Sequence, residues 1–211
     1  NYFKRLVDHG ITPLTAGGDH SISYPILKAL GEKRPLGMVH IDAHADTLGP
    51  MEGTRFHHGA PFLNAAVDGV LDPERTIQIG IRGPSAILWG FSHATGMRVI
   101  GMEEADSMGV DAIIAEARRV IGDGPTYVSV DVDAMDPAFT PGTGTPEVGG
   151  FTPIQVQRIL RGLRGANLIG GDVVEVSPPF DASGGTAMVA GRMMWELLCL
   201  LAEARHLRAG L

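Results

Sequence analysis

The chain of 211 residues has one cysteine, Cys199, so no internal disulfide can form, and a reducing cytoplasm is the expected compartment. Cys199 lies in the apolar stretch from Trp195 to Ala202 and reads as a small buried hydrophobe, without the activated base that a catalytic thiol needs. Basic residues are few: 17 Lys and Arg stand against 24 Asp and Glu, a net charge of -7 with no basic run to track phosphates, which excludes nucleic acid as the expected partner. No uninterrupted apolar run has the length of a membrane span, and no signal peptide opens the chain, so no membrane partner is expected. Asn1 in place of an initiator methionine leaves a removed targeting segment open.

With 44% hydrophobic and 19% charged residues, the chain can bury one substantial core, and its 29 glycines suit many strand-to-helix turns. Strand-like runs at 12–16, 37–41, 76–80, 98–100, 126–130 and 168–175 alternate with helical patterns at 2–9, 21–31, 60–69, 109–121, 152–163 and 183–204. The alternation predicts an α/β fold with right-handed parallel crossovers. Ser21 and Thr152 are the expected N-caps, Gly122 and Gly165 the expected stops. The Gly, Pro and Thr-rich stretch 137–151 reads as a rigid loop. Met188 to Met194, at helical spacing, reads as core or subunit interface.

Two short acidic clusters, Asp42-Ala43-His44-Ala45-Asp46 and Asp131-Val132-Asp133, each follow an apolar strand-like run. In extended chain, residues i, i+2 and i+4 project to one side, so each cluster converges at a strand end. Aspartates there also cap helices and turns, and a lone His is commonly structural. Four carboxylates crowded at the mouth of one sheet, however, repel one another unless cations lie between them. A sixth ligand candidate, His20, follows Gly17-Gly18-Asp19, where the glycines allow a tight turn; Asp19 would cap the next helix or hydrogen-bond a ligand. This set without thiolate suits manganese, with nickel or zinc open on affinity alone. Six ligands suit two ions about 3.5 Å apart that share carboxylates.

The segments GGDHS, HIDAHADT, HHGAPF, SVDVDAMDPAFTPGTGTPE and GGDVVEVSPPFD together resemble those of the ureohydrolase family, the arginase and agmatinase group. The resemblance covers nearly the whole chain and lies nearest agmatinase and the guanidino-acid hydrolases. It implies a three-layer α-β-α fold around a mainly parallel sheet, with residues 1–211 forming a single ureohydrolase domain. By that comparison roughly a hundred N-terminal residues of the family, with edge strands of the sheet, are lacking. It further implies two Mn²⁺ ions, with Ni²⁺ as the alternative: His20 and Asp46 on one, His44 and Asp133 on the other, and Asp42 and Asp131 bridging. A hydroxide held between them would attack a guanidinium carbon, giving urea and an amine. Glu175 matches the guanidinium-binding glutamate and His58 the proton-shuttling histidine, so that His58, Asp46 and Glu175 form the expected catalytic group; His57 reads as a rim residue. A trimer or hexamer is the expected assembly.

Substrate choice is expected in the loop from Thr47 to His57. Arginases place a Ser-x-Asn element before the His-Gly pair to read the α-carboxylate, whereas this chain has Thr54-Arg55-Phe56-His57, with Phe56 in the Asn position. Arginases also hold the α-amino group with acidic residues where this chain runs Gly80-Ile81-Arg82-Gly83-Pro84-Ser85. Arginine is therefore not the expected substrate. Arg55 and Arg82 would face the carboxylate of a guanidino acid such as guanidinobutyrate or guanidinopropionate, while Glu52 would attract the ammonium of agmatine. Other guanidino compounds, including guanidine itself, remain open. Histone-deacetylase-like enzymes share the implied fold but usually bind one zinc and lack the paired clusters. A catalytically silent regulatory homologue would be signalled by a missing ligand, and all are present.

Overall fold

Residues 2–83 and 89–210 are described by a computed structural model. Six strands, β1 (Leu14–Ala16), β2 (Leu36–Ile41), β3 (Leu71–Ile81), β4 (Arg98–Gly101), β5 (Thr126–Asp131) and β6 (Leu168–Val174), form one parallel sheet in the order β1-β6-β5-β2-β3-β4. The central strands β2 and β5 are buried along their whole length, which explains their near-continuous apolar runs: a parallel sheet is covered on both faces.

The period of two divides those runs between two cores. Val39, Ile41, Ile77, Ile79, Val128 and Val130 face the layer of α5 (Met102–Met108), α6 (Val110–Ile121), α7 (Pro153–Arg161) and α8 (Gly185–Arg208). Leu36, Met38 and Tyr127 face α2 (Ser23–Leu30) and α3 (Pro61–Val67), whose Ile26, Leu27, Phe62 and Ala65 are fully buried. Each such side chain contributes about 1.5–3 kcal/mol by leaving water. The result is the three-layer arrangement, with α1 (Tyr2–Asp8) against α2 and the short α4 (Gly90–Ala94) against β4.

Several local details differ from the sequence expectation. β3 begins five residues earlier than expected and includes Pro73, tolerated because its pairing with β2 is irregular between Leu71 and Thr76. Helices α4 and α5 were not anticipated; Gly109, at φ 75°, separates α5 from α6. Ser21 is not the N-cap of α2, which starts at Ser23; Asp19 instead caps a 3-10 turn at His20–Ile22, accepting the Ser21 N–H at 2.9 Å. Gly162 rather than Gly165 closes α7, while Thr152 and Gly122 do cap α7 and α6.

Helix α8 brings two corrections. Among the described helices it alone has the length and apolarity of a membrane span, yet its Ala190, Met193, Leu197 and Leu201 are buried in the sheet core and Glu196 bridges Arg161 and Arg192. Cys199 lies on its outer side and is exposed, not buried. The same side presents Met188, Trp195 and Leu198, whereas Met193 is buried.

Candidate metal centre

All six residues singled out as ligands meet at the carboxyl ends of the central strands. β2 and β5 are neighbours, so Asp42, directly after β2, and Asp131, the last residue of β5, come together; the 3-10 turn Val132–Ala134 folds Asp133 in beside them. His20 enters from the turn after β1. Its Nδ1 lies 2.9 Å from Asp46 Oδ2, 3.1 Å from Asp42 Oδ2 and 3.3 Å from Asp131 Oδ2. His44 Nδ1 lies 3.0 Å from Asp133 Oδ2 and 3.6 Å from Asp42 Oδ1. Two groups of donors thus share Asp42, one carboxylate oxygen toward each imidazole.

The polarity of the surrounding hydrogen bonds fits a cation in each group. Ser129 Oγ gives its proton to Asp172 Oδ1 at 2.6 Å, so at 2.8 Å it must accept from His20 Nε2. That turns His20 Nδ1 toward the three carboxylates, where this buried nitrogen has no well-formed hydrogen bond and would present its lone pair to a cation held among them. Donor atoms set at right angles around an ion, each about 2.1 Å from it, lie about 3 Å apart, the spacing found here. Neutral imidazole and carboxylate oxygens also suit divalent first-row ions.

Backbone N–H groups hold the carboxylates in place: His44 N donates to Asp42 Oδ1 at 2.6 Å, Ala43 N to Asp133 Oδ1 at 3.1 Å and Asp133 N to Asp131 Oδ1 at 2.8 Å. Without cations the site is electrostatically frustrated. Burial, then the charges of Asp133 and Asp42, push Asp131 well above the ordinary carboxylate range; burial and Asp42 push Asp133 up to about 6. Burial likewise acts on Asp42, but His40, His20 and His44 hold it well below the usual value. Burial opposes charge on the imidazoles, yet their carboxylates raise His20 far above its ordinary value and His44 to about 11. Positive charge is what the site lacks, and a proton or a metal ion can supply it.

The centre opens into a cavity of about 340 Å³. Glu175 lines it beside Asp46 and Asp131, its Oε1 accepting the His20 N–H at 2.7 Å; burial raises its carboxyl, and that hydrogen bond opposes the rise. Glu175 at φ 67° and Asp46 at φ 51° hold left-handed backbone, a costly conformation that collects at functional sites. His58 is exposed at the cavity wall, its Nδ1 3.9 Å from Glu175 Oε1. Leu48, Met51 and Trp89 supply apolar surface, and Glu147 a second carboxylate.

Arg55, Phe56, Arg82 and Glu52, expected near the substrate, do not line the cavity. The Arg55 guanidinium is held by Asp68 at 3.1 Å and lies over the rings of Tyr24 and Phe56; neither Arg55 nor Phe56 lines the cavity. Arg82 is turned inward, donating to the carbonyls of Asp133 and Glu147, each at 2.7 Å, and to those of Gly80 and Val148 at 3.1 Å. A guanidinium so occupied is a clamp for loop 134–148. Glu52 is exposed and off the cavity, and Pro84 and Ser85 lie outside the described residues. His57 donates from or accepts at no cavity group; its Nε2 faces Gly49 O at 3.0 Å, on the rim.

Glu147 and Thr145, both within the TGTPE segment, also stand at the centre without a ligand-like spacing to mark them. Thr145 Oγ1 donates to Asp133 Oδ2 at 3.3 Å, and Glu147 Oε1 lies 3.7 Å from His44 Nε2. Ser129 and Asp172 lie behind the centre, joined to His20 by hydrogen bonds. The signal was present: each is a polar side chain inside an otherwise apolar strand, Ser129 two residues before Asp131 and Asp172 three before Glu175, and such a group must find a buried partner.

Residues 1–200 match the arginase family model. Over 206 residues the chain is 57% identical to guanidinopropionase of Pseudomonas aeruginosa, covering 96% of this chain and 65% of that protein. It is 46% identical to the mitochondrial guanidino acid hydrolase of Homo sapiens, covering 94% of this chain and 57% of the relative. The chain thus spans less than two thirds of the length of these relatives. Among solved structures, proclavaminate amidino hydrolase from Streptomyces clavuligerus superposes with a TM-score of 0.92 at 39% identity, covering 96% of this chain and 68% of the other. Arginase from Bacillus caldovelox superposes at 0.82 with 28% identity, covering 96% and 72%. With the paired His and Asp groups, the parallel sheet and these relationships in agreement, the chain belongs to the arginase family.

Proposed function

We propose that the protein is a metal-dependent ureohydrolase that cleaves a guanidino acid to urea and an amino acid, with two manganese ions at the centre. The observation that carries this reading is His20 Nδ1, buried within 2.9–3.3 Å of three carboxylates with no well-formed hydrogen bond to any of them, behind a cavity lined by Asp46, Asp131 and Glu175. His20, Asp46, His44 and Asp133 would hold the ions, with Asp42 and Asp131 between them. Bound divalent ions acidify water to a nucleophile at neutral pH and neutralise developing charge.

The rest falls to side chains of the cavity. The Glu175 carboxylate accepts from the planar fork of a guanidinium and fixes the face its carbon presents to the floor. Hydrolysis adds water across one C–N bond, and the departing nitrogen leaves as an amine only once protonated. His58, exposed and near Glu175, is placed to deliver that proton from solvent. Leu48, Met51 and Trp89 cover the methylenes of a short tail.

The guanidino acid is favoured by the 57% identity to guanidinopropionase; Arg55 and Arg82 are turned away from the cavity, and outside the ligand set His58 is the described lining side chain able to carry a positive charge. Agmatine is the second reading, favoured by Glu147, a carboxylate on the wall that would meet its ammonium. Cytoplasmic action agrees with the lone free cysteine, and a homo-oligomer with the apolar side chains exposed on α8. Urea release from 3-guanidinopropionate, 4-guanidinobutyrate, agmatine, arginine and guanidine, with manganese and after chelation, tests the proposal. Metal-dependent turnover of the guanidino acids is expected; better turnover of agmatine selects the second reading, and no urea from any of them removes both.

A further inference from the structure

We propose that His40 and Gln78 are positioning residues of the metal centre: Gln78 makes His40 Nδ1 an acceptor, so the ring donates from Nε2 to Asp42, the carboxylate shared by both donor groups. The inference rests on the metal-centre reading given above and concerns residues that contact neither cavity nor substrate.

His40 and Gln78 are side by side in register on β2 and β3 and fully buried. Neither type belongs in a strand core unless its polar atoms are matched. The matching begins at Ala45, between the ligands His44 and Asp46. Its carbonyl can only accept, so the Gln78 side-chain atom 2.6 Å away is the amide nitrogen. That same nitrogen lies 3.1 Å from His40 Nδ1 and, having only hydrogens to offer, makes Nδ1 an acceptor. The imidazole proton must then sit on Nε2, which is 2.7 Å from Asp42 Oδ2. One backbone carbonyl thus dictates, through two side chains, the direction of the hydrogen bond received by the shared ligand.

The ring is closed off from solvent. Phe62 of α3 packs on His40 with ring centroids 4.4 Å apart and on His20 at 5.1 Å, excluding water from both. A donor aimed at Asp42 Oδ2 leaves Oδ1 toward His44 and holds the carboxylate plane, so both donor groups keep their spacing. Gln78, by tethering the Ala45 carbonyl, also fixes the segment in which Asp46 adopts its left-handed backbone. With its nitrogen committed twice, Gln78 leaves its own Oε1 without a partner, so this orientation is retained at the expense of a buried acceptor. Such outer partners of metal ligands typically govern about 10–100-fold in metal affinity.

The test uses the full chain and three variants. His40→Phe keeps the ring and removes the donor; His40→Gln returns an N–H near the position of Nε2; Gln78→Met removes the constraint on Nδ1. Manganese affinity is measured by chelator competition, and the tautomer of His40 by long-range ¹H–¹⁵N spectra of the protein without metal and with zinc. Expected are a protonated Nε2 and unprotonated Nδ1 in the unsubstituted chain, a weakening of about 10–100-fold in His40→Phe, recovery of most of it in His40→Gln, and an intermediate loss in Gln78→Met. A proton on Nδ1, or unsubstituted affinity in His40→Phe, overturns the inference. If His40→Phe does not fold, the spectra of the unsubstituted chain and the affinity of Gln78→Met decide alone. Failure of the unsubstituted chain to bind any divalent ion sinks the metal-centre reading instead.

Discussion

At the scale of single residues, the centre trades stability for binding. Asp131 is buried beside Asp133 and Asp42, and burial together with those charges disfavours its ionised form. Asp131→Asn keeps an oxygen for the Asp133 N–H while removing one negative charge. The metal-free variant is therefore expected to melt higher than the metal-free parent, while its response to manganese is lost; calorimetry with and without the ion reads both, and a variant with undiminished metal stabilisation would contradict the ligand assignment. His58 belongs to a different class. Exposed and away from the ligands, it is expected in His58→Gln to lower kcat by about 10²–10⁴-fold, the usual contribution of general acid–base catalysis, with metal content unchanged. Urea release beside atomic absorption separates the two effects.

Elements decide where those residues meet, and here β3 is the informative case. Its pairing with β4 is irregular between Ile79 and Ile81, and Gly80, at φ 96°, makes that bend. A Cβ there would stand 2.8 Å from Phe151 Cε2 and 3.1 Å from the carbonyl of Asp42, so the strand end that carries the first metal cluster depends on having none. Gly80→Ala is expected to cost about 1–3 kcal/mol, a fall of several degrees in melting temperature, and to weaken metal binding through Asp42; unchanged values in both would show that the bend carries no load. The meeting of the two clusters was legible because β2 and β5 are largely apolar runs, each leading directly into an aspartate. The substrate arginines were not. Nothing local reveals that Arg82 finds backbone carbonyls of a loop more than fifty residues ahead, or that Arg55 is claimed by Asp68 on the far side of α3. Helix α5 was lost for a related reason: Gly109 divides it from α6 within one polar stretch, and a boundary set by a single positive φ leaves little trace in periodicity. Cys199 shows the limit of reading an apolar run by composition, since in a helix that lies on a sheet only one side is covered.

For the whole molecule, the surplus of buried carboxylates makes stability depend on pH and metal together. The pKa of Asp133 is about 6 in the folded chain against an ordinary 3.8, and that of Asp131 is also raised. A carboxylate raised on folding contributes stability that is present while it is protonated in both states and is lost as pH rises through its folded value. His20 and His44 are raised as well, His44 to about 11, and their contribution is full below the ordinary imidazole range and declines above it. All four therefore act in one direction above about pH 4: the metal-free chain weakens as pH rises. Only Asp42, together with surface carboxylates such as Asp68 and Glu116, both held to about 2 by their partners, acts oppositely, and their contribution disappears in stronger acid. Divalent ions are expected to reverse the main trend, because they would bind the deprotonated carboxylates and release the protons that stood in for them. Manganese at about a hundred times its dissociation constant stabilises by about 2.7 kcal/mol, a rise of about 5–10 °C for a domain of this size. That rise is expected near pH 8 and should shrink toward nothing near about pH 5, where protons hold the site. Melting curves across this range, with manganese and with chelator, measure the difference directly. A stabilisation by metal that is constant with pH, or that grows in acid, would mean that the buried carboxylates are not where the ions bind.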